Sequence, residues 1–291
     1  MHLATFPTTT GASTVVCVEA DRRQPLDAPD VAAYLRMRAA GKSPSPTTAV
    51  LDETAGPLAV VTTPTKVICC GHNYRAHITE MGRGVPVHPT LFTKFADTLT
   101  GARSEIAIPG NTADAIDWEA ELAVVVGADL YQADAATARA AIAGYCVAND
   151  VSVRSWQHHT PQWLPGKAFD ATTPIGPVLV TADEIDPADG LRITCRVDGV
   201  IRQRSTTDDL LFDAPTLLSY ISMFTTLRPG DVVLTGTPGG VGAAATPPEY
   251  LHDGSIVETE IEGIGLLRNT ITISARTCST SGVTPFEREL R

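Results

Sequence analysis

The sequence of this 291-residue chain predicts a β-rich α+β fold, in which a β-roll or β-sandwich follows a small N-terminal α/β domain. Short apolar runs bounded by turn residues recur from residue 66 onward, as is typical of strands. Few segments of that region place apolar residues at helical spacing. Many strands with few helices favour packed β-sheets over a doubly wound parallel sheet.

The first 64 residues differ in pattern from the rest and are predicted to form the small N-terminal domain, 1–64. A stretch rich in Pro, Ser and Thr at 42–48 indicates a loop, and the Thr/Pro sequence at 62–65 indicates a linker. The elements predicted around them are a strand at 15–20, a helix at 29–40 and a strand at 57–61.

Residues 65–275 are predicted to form the main domain, and the polar residues 276–291 a C-terminal tail. The predicted strands lie at 67–70, 90–95, 121–126, 145–149, 178–180, 192–197, 231–234, 256–261 and 267–273. Helices are predicted at 133–143 and 214–227.

The composition is that of an ordinary globular protein, with 43% hydrophobic and 19% charged residues. A net charge of −11 argues against binding to nucleic acid or to an anionic membrane surface. An acidic protein that handles an anionic substrate needs local positive charge, which a bound cation and a few lysines can supply.

The cysteines and the absence of long apolar runs bear on location. None of the six cysteines forms a C-x-x-C pair, and several lie in apolar strand-like runs, which is typical of buried thiols in a reducing compartment. No basic segment followed by an apolar core opens the sequence, and no apolar run approaches ~20 residues. The expected location is therefore the cytoplasm, with no membrane span.

Two glutamates, Glu119 and Glu121, stand at the start of the apolar run 122–126. Residues two apart on a β-strand point to the same face, so both carboxylates would project together and repel unless something positive lies between them. The alternative is an edge strand with two solvated carboxylates. Because Asp150 ends the next apolar strand, three carboxylates gather at strand ends, which favours a site for Mg²⁺ or Mn²⁺, with Ca²⁺ also compatible.

His77 and Glu80 are three residues apart, a spacing that lets two side chains touch on one face of a helix. A glutamate bound to one imidazole nitrogen fixes the tautomer and raises the basicity of the other nitrogen. The pair could then act as a general base that activates water. The alternative is an exposed His–Glu pair on a surface helix.

A series of short motifs runs in order along residues 66–273. The motifs are Gly71-His72-Asn73-Tyr74-x-x-His77-x-x-Glu80, Leu91-Phe92-Thr93-Lys94, Glu119-x-Glu121, Asn149-Asp150-Val151-Ser152-Val153-Arg154-Ser155-Trp156-Gln157, Lys167-Ala168-Phe169-Asp170, Pro174-Ile175-Gly176-Pro177 and Pro229-Gly230-Asp231-Val232-Val233-Leu234-Thr235-Gly236-Thr237-Pro238-Gly239-Gly240-Val241-Gly242. As a set, they make the chain resemble the fumarylacetoacetate hydrolase superfamily, although they are not specific for one reaction within it.

This resemblance implies a mixed β-sandwich roll, a homodimer and a metal triad of Glu119, Glu121 and Asp150. It also implies that residues around His77 and Glu80 form a mobile lid, which the following glycines would suit.

The resemblance and the residue types also predict the groups that meet the substrate. Lys167 would hold developing negative charge, and the Gln157 amide would donate to a substrate oxygen. Arg154 is either a clamp for a substrate carboxylate or an internal ion-pair partner, with the second favoured. Lys94 either neutralises the acidic site or caps its strand. The Thr237 hydroxyl is a candidate contact for a substrate carboxylate, in a glycine-rich loop that lacks the Lys-Ser/Thr of a phosphate loop.

The leading hypothesis is a divalent-metal-dependent hydrolase that cleaves a carbon–carbon bond in a small 2-oxo or 1,3-dicarbonyl acid, of the acylpyruvate or fumarylacetoacetate type. The alternative on the same scaffold is an oxaloacetate-type decarboxylase, or a 2-oxo acid isomerase or dehydratase. A minor alternative is a non-catalytic metal-binding relative. A zinc site at His158 and His159 is disfavoured, because adjacent histidines on a helix point apart.

Overall fold

The computed structural model describes residues 1–19, 22–80, 82 and 84–274. The predicted C-terminal tail at 276–291 lies outside the described residues. Within these ranges the chain forms a large mixed sheet, a five-stranded sheet and a two-stranded ribbon.

The strands are β1 His2–Pro7, β2 Ser13–Glu19, β3 Arg22–Leu26, β4 Val67–Gly71, β5 Thr90–Lys94, β6 Leu99–Thr100, β7 Ile106–Pro109, β8 Ile116–Asp117, β9 Ala120–Val126, β10 Ile142–Asn149, β11 Ser152–Val153, β12 Thr173–Thr181, β13 Arg192–Val197, β14 Val200–Thr206, β15 Val232–Leu234, β16 Ile256–Ile261 and β17 Gly265–Ser274. The α-helices are α1 Val31–Ala39, α2 Arg75–Glu80, α3 Ala135–Ala140, α4 Arg154–Gln157, α5 Leu164–Lys167 and α6 Ala214–Ser222. Short 3₁₀ turns lie at Ala96–Thr98, Pro187–Asp189, Thr207–Asp209 and Gly242–Ala244.

The large sheet has the strand order β3-β2-β1-β12-β10-β9-β15-β4-β5, and β6 pairs with β12. Its pairs are antiparallel except β4 with β15 and β6 with β12. The five-stranded sheet has the order β14-β13-β16-β17-β7, with β7 and β17 parallel. The predicted β-rich sandwich-type fold is therefore present.

Strand β9 lies at the centre of the large sheet and is buried along its whole length. Its side chains alternate, as a pleated strand requires. Leu122 and Val124 pack into the core shared with the five-stranded sheet and α6, whereas Ala123 and Val125 pack into the core shared with α1. Because both faces are covered, β9 reads in the sequence as a continuous apolar run rather than an alternating one.

All the strands predicted after residue 66 are present. The sequence pattern failed to predict several other strands, and the strand predicted at 57–61 is not formed. Ala59, Val60 and Val61 are buried, yet residues 57–61 form no strand, because Leu58 N donates to Thr5 O and Val60 N to Ile175 O, two different partners. β1, β3, β7 and β14 were not predicted; β14, for example, is largely polar. The strands β1–β3 extend the large sheet, while the proposed domain boundary at residue 64 stays a prediction.

Both helices predicted after residue 66 are shorter than their predicted spans. α3 begins after the N-cap Asp134, whose side chain accepts a hydrogen bond from Thr137 N, and ends at Ala140 because β10 starts at Ile142. α6 begins after the N-cap Asp213 and ends at Ser222, ahead of the predicted limit of 227. No helix among the described residues is long and apolar enough to cross a membrane.

Asp231 joins the segment before β4 to the start of β15. Its carboxylate is fully buried and accepts hydrogen bonds from the backbone N–H groups of Thr65, Lys66 and Arg228, at 2.9–3.0 Å. Asp231→Ala would leave these donors without a partner, so we expect the free energy of unfolding to fall by about 3 kcal/mol or more. Chemical denaturation measures this loss. The exposed Asp129→Ala is the control, and equal midpoints for the two variants would contradict the prediction.

Candidate active site

The ends of two paired central strands bring three carboxylates together. Glu119 immediately precedes β9, Glu121 lies on it, and Asp150 immediately follows β10. Because β9 and β10 are antiparallel, with Asn149 opposite Ala120, the start of one strand meets the end of the other. One ligand oxygen from each of the three carboxylates lies within 4.8 Å of the others, and all three residues are buried. They are the only such group of His, Cys, Asp or Glu among the described residues.

Two lysines contact these carboxylates from opposite sides. Lys167 Nζ at the end of α5 lies 2.6 Å from Glu119 Oε2 and 2.9 Å from Asp150 Oδ2. Lys94 Nζ at the end of β5 lies 2.5 Å from Asp150 Oδ1. Lys94 is fully buried behind Asp150 and does not line the cavity described below, so its contact fits a neutralising role better than contact with substrate.

Arg154 is the third cation of the site and starts α4. Its Nη2 lies 2.7 Å from Glu119 Oε1, its Nε donates to Asp117 Oδ2 at 2.8 Å, and its Nη1 donates to the amide oxygen of Gln157 at 2.8 Å. The internal ion pair, one of the two roles considered for Arg154, is thus formed. Because the Gln157 oxygen is used in this way, its amide nitrogen is the end left to meet a ligand.

The charges of this cluster do not cancel. Burial would raise the pKa of Glu119, but Lys167 and Arg154 outweigh it and hold that pKa below its ordinary value. The pKa of Asp150 is likewise lowered, because Lys167 and Lys94 outweigh the effect of burial. Burial raises the pKa of Glu121 well above its ordinary value, and Asp150 and Glu119 add to the increase.

Glu121 is therefore the uncompensated acid of the cluster. Its carboxylate accepts a 2.7 Å hydrogen bond from Gly236 N, which does not offset its burial beside two other carboxylates. Hard oxygen donors with one negative charge in excess are what a divalent cation such as Mg²⁺ or Mn²⁺ prefers. Glu119, Glu121 and Asp150 consequently fit such an ion.

The His77–Glu80 pair forms on the short helix α2. His77 Nδ1 lies 3.0 Å from Glu80 Oε2; the His77 side chain is buried, whereas that of Glu80 is 41% exposed. A Cβ at Gly239 would lie 2.8 Å from Glu80 Oε2, so the glycine-rich loop passes close to the Glu80 carboxylate. Glu80 therefore lies between His77 and this loop.

A cavity of about 330 Å³ joins these groups. Its wall contains Glu119, Glu121, Arg154, Gln157, Lys167, His77, His72, His158, Thr237, Cys70, Gly71, Phe92, Trp163, Val241, Ala243 and Ala244. The Trp163 ring contacts Phe92 and His72 edge-on, each at 5.4 Å between ring centroids. The wall is therefore polar at the carboxylate end and partly aromatic elsewhere, and its size suits a small molecule.

Sequence reasoning missed several residues that support this site. Asp117 binds Arg154 and also accepts hydrogen bonds from Gly242 N and Ala243 N, at 2.7 and 3.0 Å. Extending the two-residue spacing of Glu119 and Glu121 back by one step would have indicated Asp117. Gln203 and Trp163 carried no such local signal, since their contacts join distant parts of the chain.

The buried triad of carboxylates, with lysines beside it and a cavity in front of Glu119 and Glu121, is a candidate divalent-metal site in a mixed β-fold. Residues 66–272 match the family model described as fumarylacetoacetate (FAA) hydrolase C-terminal, which is well over half of the chain. The chain belongs to the fumarylacetoacetate hydrolase family, an enzyme family.

Curated relatives and solved structures agree with this assignment. The chain is 44% identical over 216 residues to oxaloacetate tautomerase FAHD2A, mitochondrial, from Bos taurus and from Homo sapiens; the match covers 74% of this chain and 68% of each relative. The fumarylacetoacetate hydrolase from Exiguobacterium antarcticum superposes with a TM-score of 0.81 at 33% identity, over 94% of this chain and 100% of that one. A 5-carboxymethyl-2-hydroxymuconate delta-isomerase from Mycobacterium smegmatis gives a TM-score of 0.77 at 33% identity, with the same coverage.

Glu121→Gln tests the cation site directly. The amide retains the shape of the side chain but removes the uncompensated charge, so we expect Mn²⁺ to bind at least about a hundredfold more weakly. Electron paramagnetic resonance of free Mn²⁺ measures the affinity. Glu80→Gln, which changes a carboxylate that contacts the cavity-lining His77 but lies outside the triad, should leave the affinity unchanged. Wild-type Mn²⁺ affinity in Glu121→Gln would show that the triad holds no ion.

Proposed function

We propose that the protein is a divalent-metal-dependent enzyme that interconverts the enol and keto forms of a short 2-oxo acid of the oxaloacetate type. The observation that carries the proposal is the meeting of three unlike groups at one small cavity: the carboxylate triad, the Lys167 ammonium and the His77 imidazole. The 44% identity to proteins named oxaloacetate tautomerases supports this reaction over the carbon–carbon hydrolysis that the motifs alone favoured.

The residues that would hold the ion are Glu119, Glu121 and Asp150. A divalent cation held there would supply Lewis-acid stabilisation of negative charge on the substrate. Gln157, through its amide nitrogen, and Thr237, through its hydroxyl, are proposed to bind substrate oxygens at the cavity wall.

Lys167 is proposed to stabilise negative charge on the enolate oxygen. Burial would lower the pKa of Lys167, but Asp150 and Glu119 outweigh this effect and raise it, so the side chain is an ammonium at neutral pH. An ammonium fixed by two carboxylates can donate to an oxygen that becomes negative, but it cannot remove a proton from carbon. The proton of C3 must therefore pass to another group.

His77 is proposed to carry that proton. With its Nδ1 held by Glu80, the imidazole has Nε2 as its second ring nitrogen, which can accept a proton. In the keto-to-enol direction, Nε2 takes the proton from C3, the C–H electron pair forms the C2–C3 double bond, and the electron pair of the C2=O double bond moves to the 2-oxo oxygen. The oxygen then takes a proton from water, and Nε2 returns its proton to water. The reverse direction returns a proton from Nε2 to C3.

Hydrolysis of an acylpyruvate-type substrate remains a second candidate. The observation that favours it is the His77–Glu80 pair itself, whose Glu80 is 41% exposed, since such a pair can equally take a proton from water. A decarboxylase would act on the same oxaloacetate-type acid. We retain the homodimer as a further proposal that follows from family membership.

The assay that tests the proposal follows enol-form oxaloacetate by ultraviolet absorbance with Mg²⁺ and purified protein. We expect enol absorbance to decay faster than without protein, saturably, and not with Glu121→Gln. Carbon dioxide and pyruvate are measured in the same samples, and an acylpyruvate is tested in parallel for release of two acids. Cleavage of the acylpyruvate, with no acceleration of enol decay, would replace the tautomerase with the hydrolase.

His77→Asn separates proton transfer from metal binding. Removing the imidazole should lower the tautomerisation rate about a hundredfold or more, while Mn²⁺ affinity stays at the wild-type value. Glu80→Gln should reduce the rate less, because the imidazole remains. Wild-type turnover in His77→Asn would mean that another group moves the proton.

A further inference from the structure

Gln203 lies on β14 of the five-stranded sheet, yet its side chain reaches into the wall of the active-site cavity from behind. It is 1% exposed. Its Oε1 accepts a hydrogen bond from Ala120 N at 2.9 Å, and its Nε2 donates to Thr237 Oγ1 at 2.8 Å and to Pro238 O at 2.9 Å. One side chain thus joins the residue between Glu119 and Glu121 to the glycine-rich loop.

The hydrogen-bond partners of Gln203 determine which atom of its amide is the oxygen and which is the nitrogen. The Ala120 N–H group can only donate, so it must face the amide oxygen, and the Pro238 carbonyl can only accept, so it must face the amide nitrogen. The nitrogen has two hydrogens, and the second one points to Thr237. The Thr237 oxygen is therefore an acceptor in this contact, and its own hydrogen must point away from Gln203.

We infer that Gln203 is a positioning residue that turns the Thr237 hydroxyl into a donor directed at an anionic oxygen of the ligand in the cavity. Thr237 lines that cavity, and no hydrogen bond given by its hydroxyl to another described residue is present. This inference rests on the proposed function, because it assumes that Thr237 meets a carboxylate of a 2-oxo acid.

The close fit between the loop and β14 keeps this contact in place. Gly240, with φ of +93°, packs so closely that a Cβ there would lie 2.1 Å from the Arg202 carbonyl oxygen, next to Gln203. The glycine-rich loop therefore lies directly against β14, beside Gln203.

A double-mutant cycle on binding tests the inference without relying on turnover. The probe is oxalate with saturating Mg²⁺, measured by calorimetry, and the variants are Gln203→Met, Thr237→Val and the double variant. We expect each single change to weaken oxalate binding about tenfold, as for a lost hydrogen bond to a charged group. The double variant should bind within about threefold of the weaker single variant, because the two residues act through one hydrogen bond. Factors that multiply to about a hundredfold would overturn the inference.

Other outcomes are also decisive. Thr237→Ser keeps the hydroxyl and should bind oxalate nearly as well as wild type. If the role of Gln203 were merely structural, Gln203→Met would weaken oxalate binding by the same factor with or without the Thr237 hydroxyl. If Gln203→Met does not fold, Gln203→Glu takes its place, since it keeps the acceptor for Ala120 N and removes the donor to Thr237. Its carboxylate would accept from the Thr237 hydroxyl and turn it away from the ligand, so Gln203→Glu should weaken oxalate binding, and adding Thr237→Val should weaken it little further. If wild-type protein with Mg²⁺ does not bind oxalate, the proposed function fails together with the inference. If wild type binds and the factors multiply, the inference alone fails.

Discussion

A buried and incompletely neutralised set of charges is the constraint on which the rest of this structure depends. The acids are Asp117, Glu119, Glu121 and Asp150, and the cations are Lys94, Arg154 and Lys167. Removing such groups from water costs several kcal/mol for each ion unless close partners replace the water. Each of the three cations forms an ion pair with at least one of Asp117, Glu119 and Asp150. Glu121 is left as the carboxylate that only a further cation or a proton can neutralise. The proposed affinity for a metal thus follows from how the core is charged.

The five-stranded sheet helps to hold this charged cluster in position, although none of the charged groups of the cluster lies on that sheet. The Asn149 amide oxygen accepts from Glu119 N at 3.0 Å, and its nitrogen donates to Thr259 Oγ1 on β16 at 2.9 Å. Gln203 makes the corresponding link from β14 to Ala120. The backbone around both glutamates is therefore fixed from behind by neutral amides. Neutral groups suit this position, since they orient the ligands without changing the charge balance of the site.

The sequence predicts the parts of the site that follow from local spacing. Glu119 and Glu121 share a face because a strand has a period of two. Asp150 ends an apolar run, but the family resemblance placed it with the glutamates, since their meeting depends on the antiparallel pairing of β9 and β10. The His77–Glu80 contact follows from helical spacing in the same way. Asp117, Gln203 and the burial of Lys94 depend on which strands become neighbours, which no local pattern contains. The same limit explains the fold: the apolar central strands were predicted, whereas the polar β14 and the irregular segment 57–61 depend on tertiary contacts.

Under the proposed function, the choice between reactions depends on the His77–Glu80 pair on α2 rather than on the metal site. Lys167 is held as an ammonium by Glu119 and Asp150, and the triad carboxylates are committed to the cation, so none of these groups can serve as the base. His77 can take a proton from whichever atom lies nearest to Nε2. If the substrate carbon lies there, the result is enolisation; if a water lies there, the result is hydrolysis. Glu80 is partly exposed whereas His77 is buried and lines the cavity, so α2 lies between the cavity and solvent. Under the proposed function, enolisation is expected if α2 keeps water away from His77 once substrate is bound, and hydrolysis is expected if α2 admits water there.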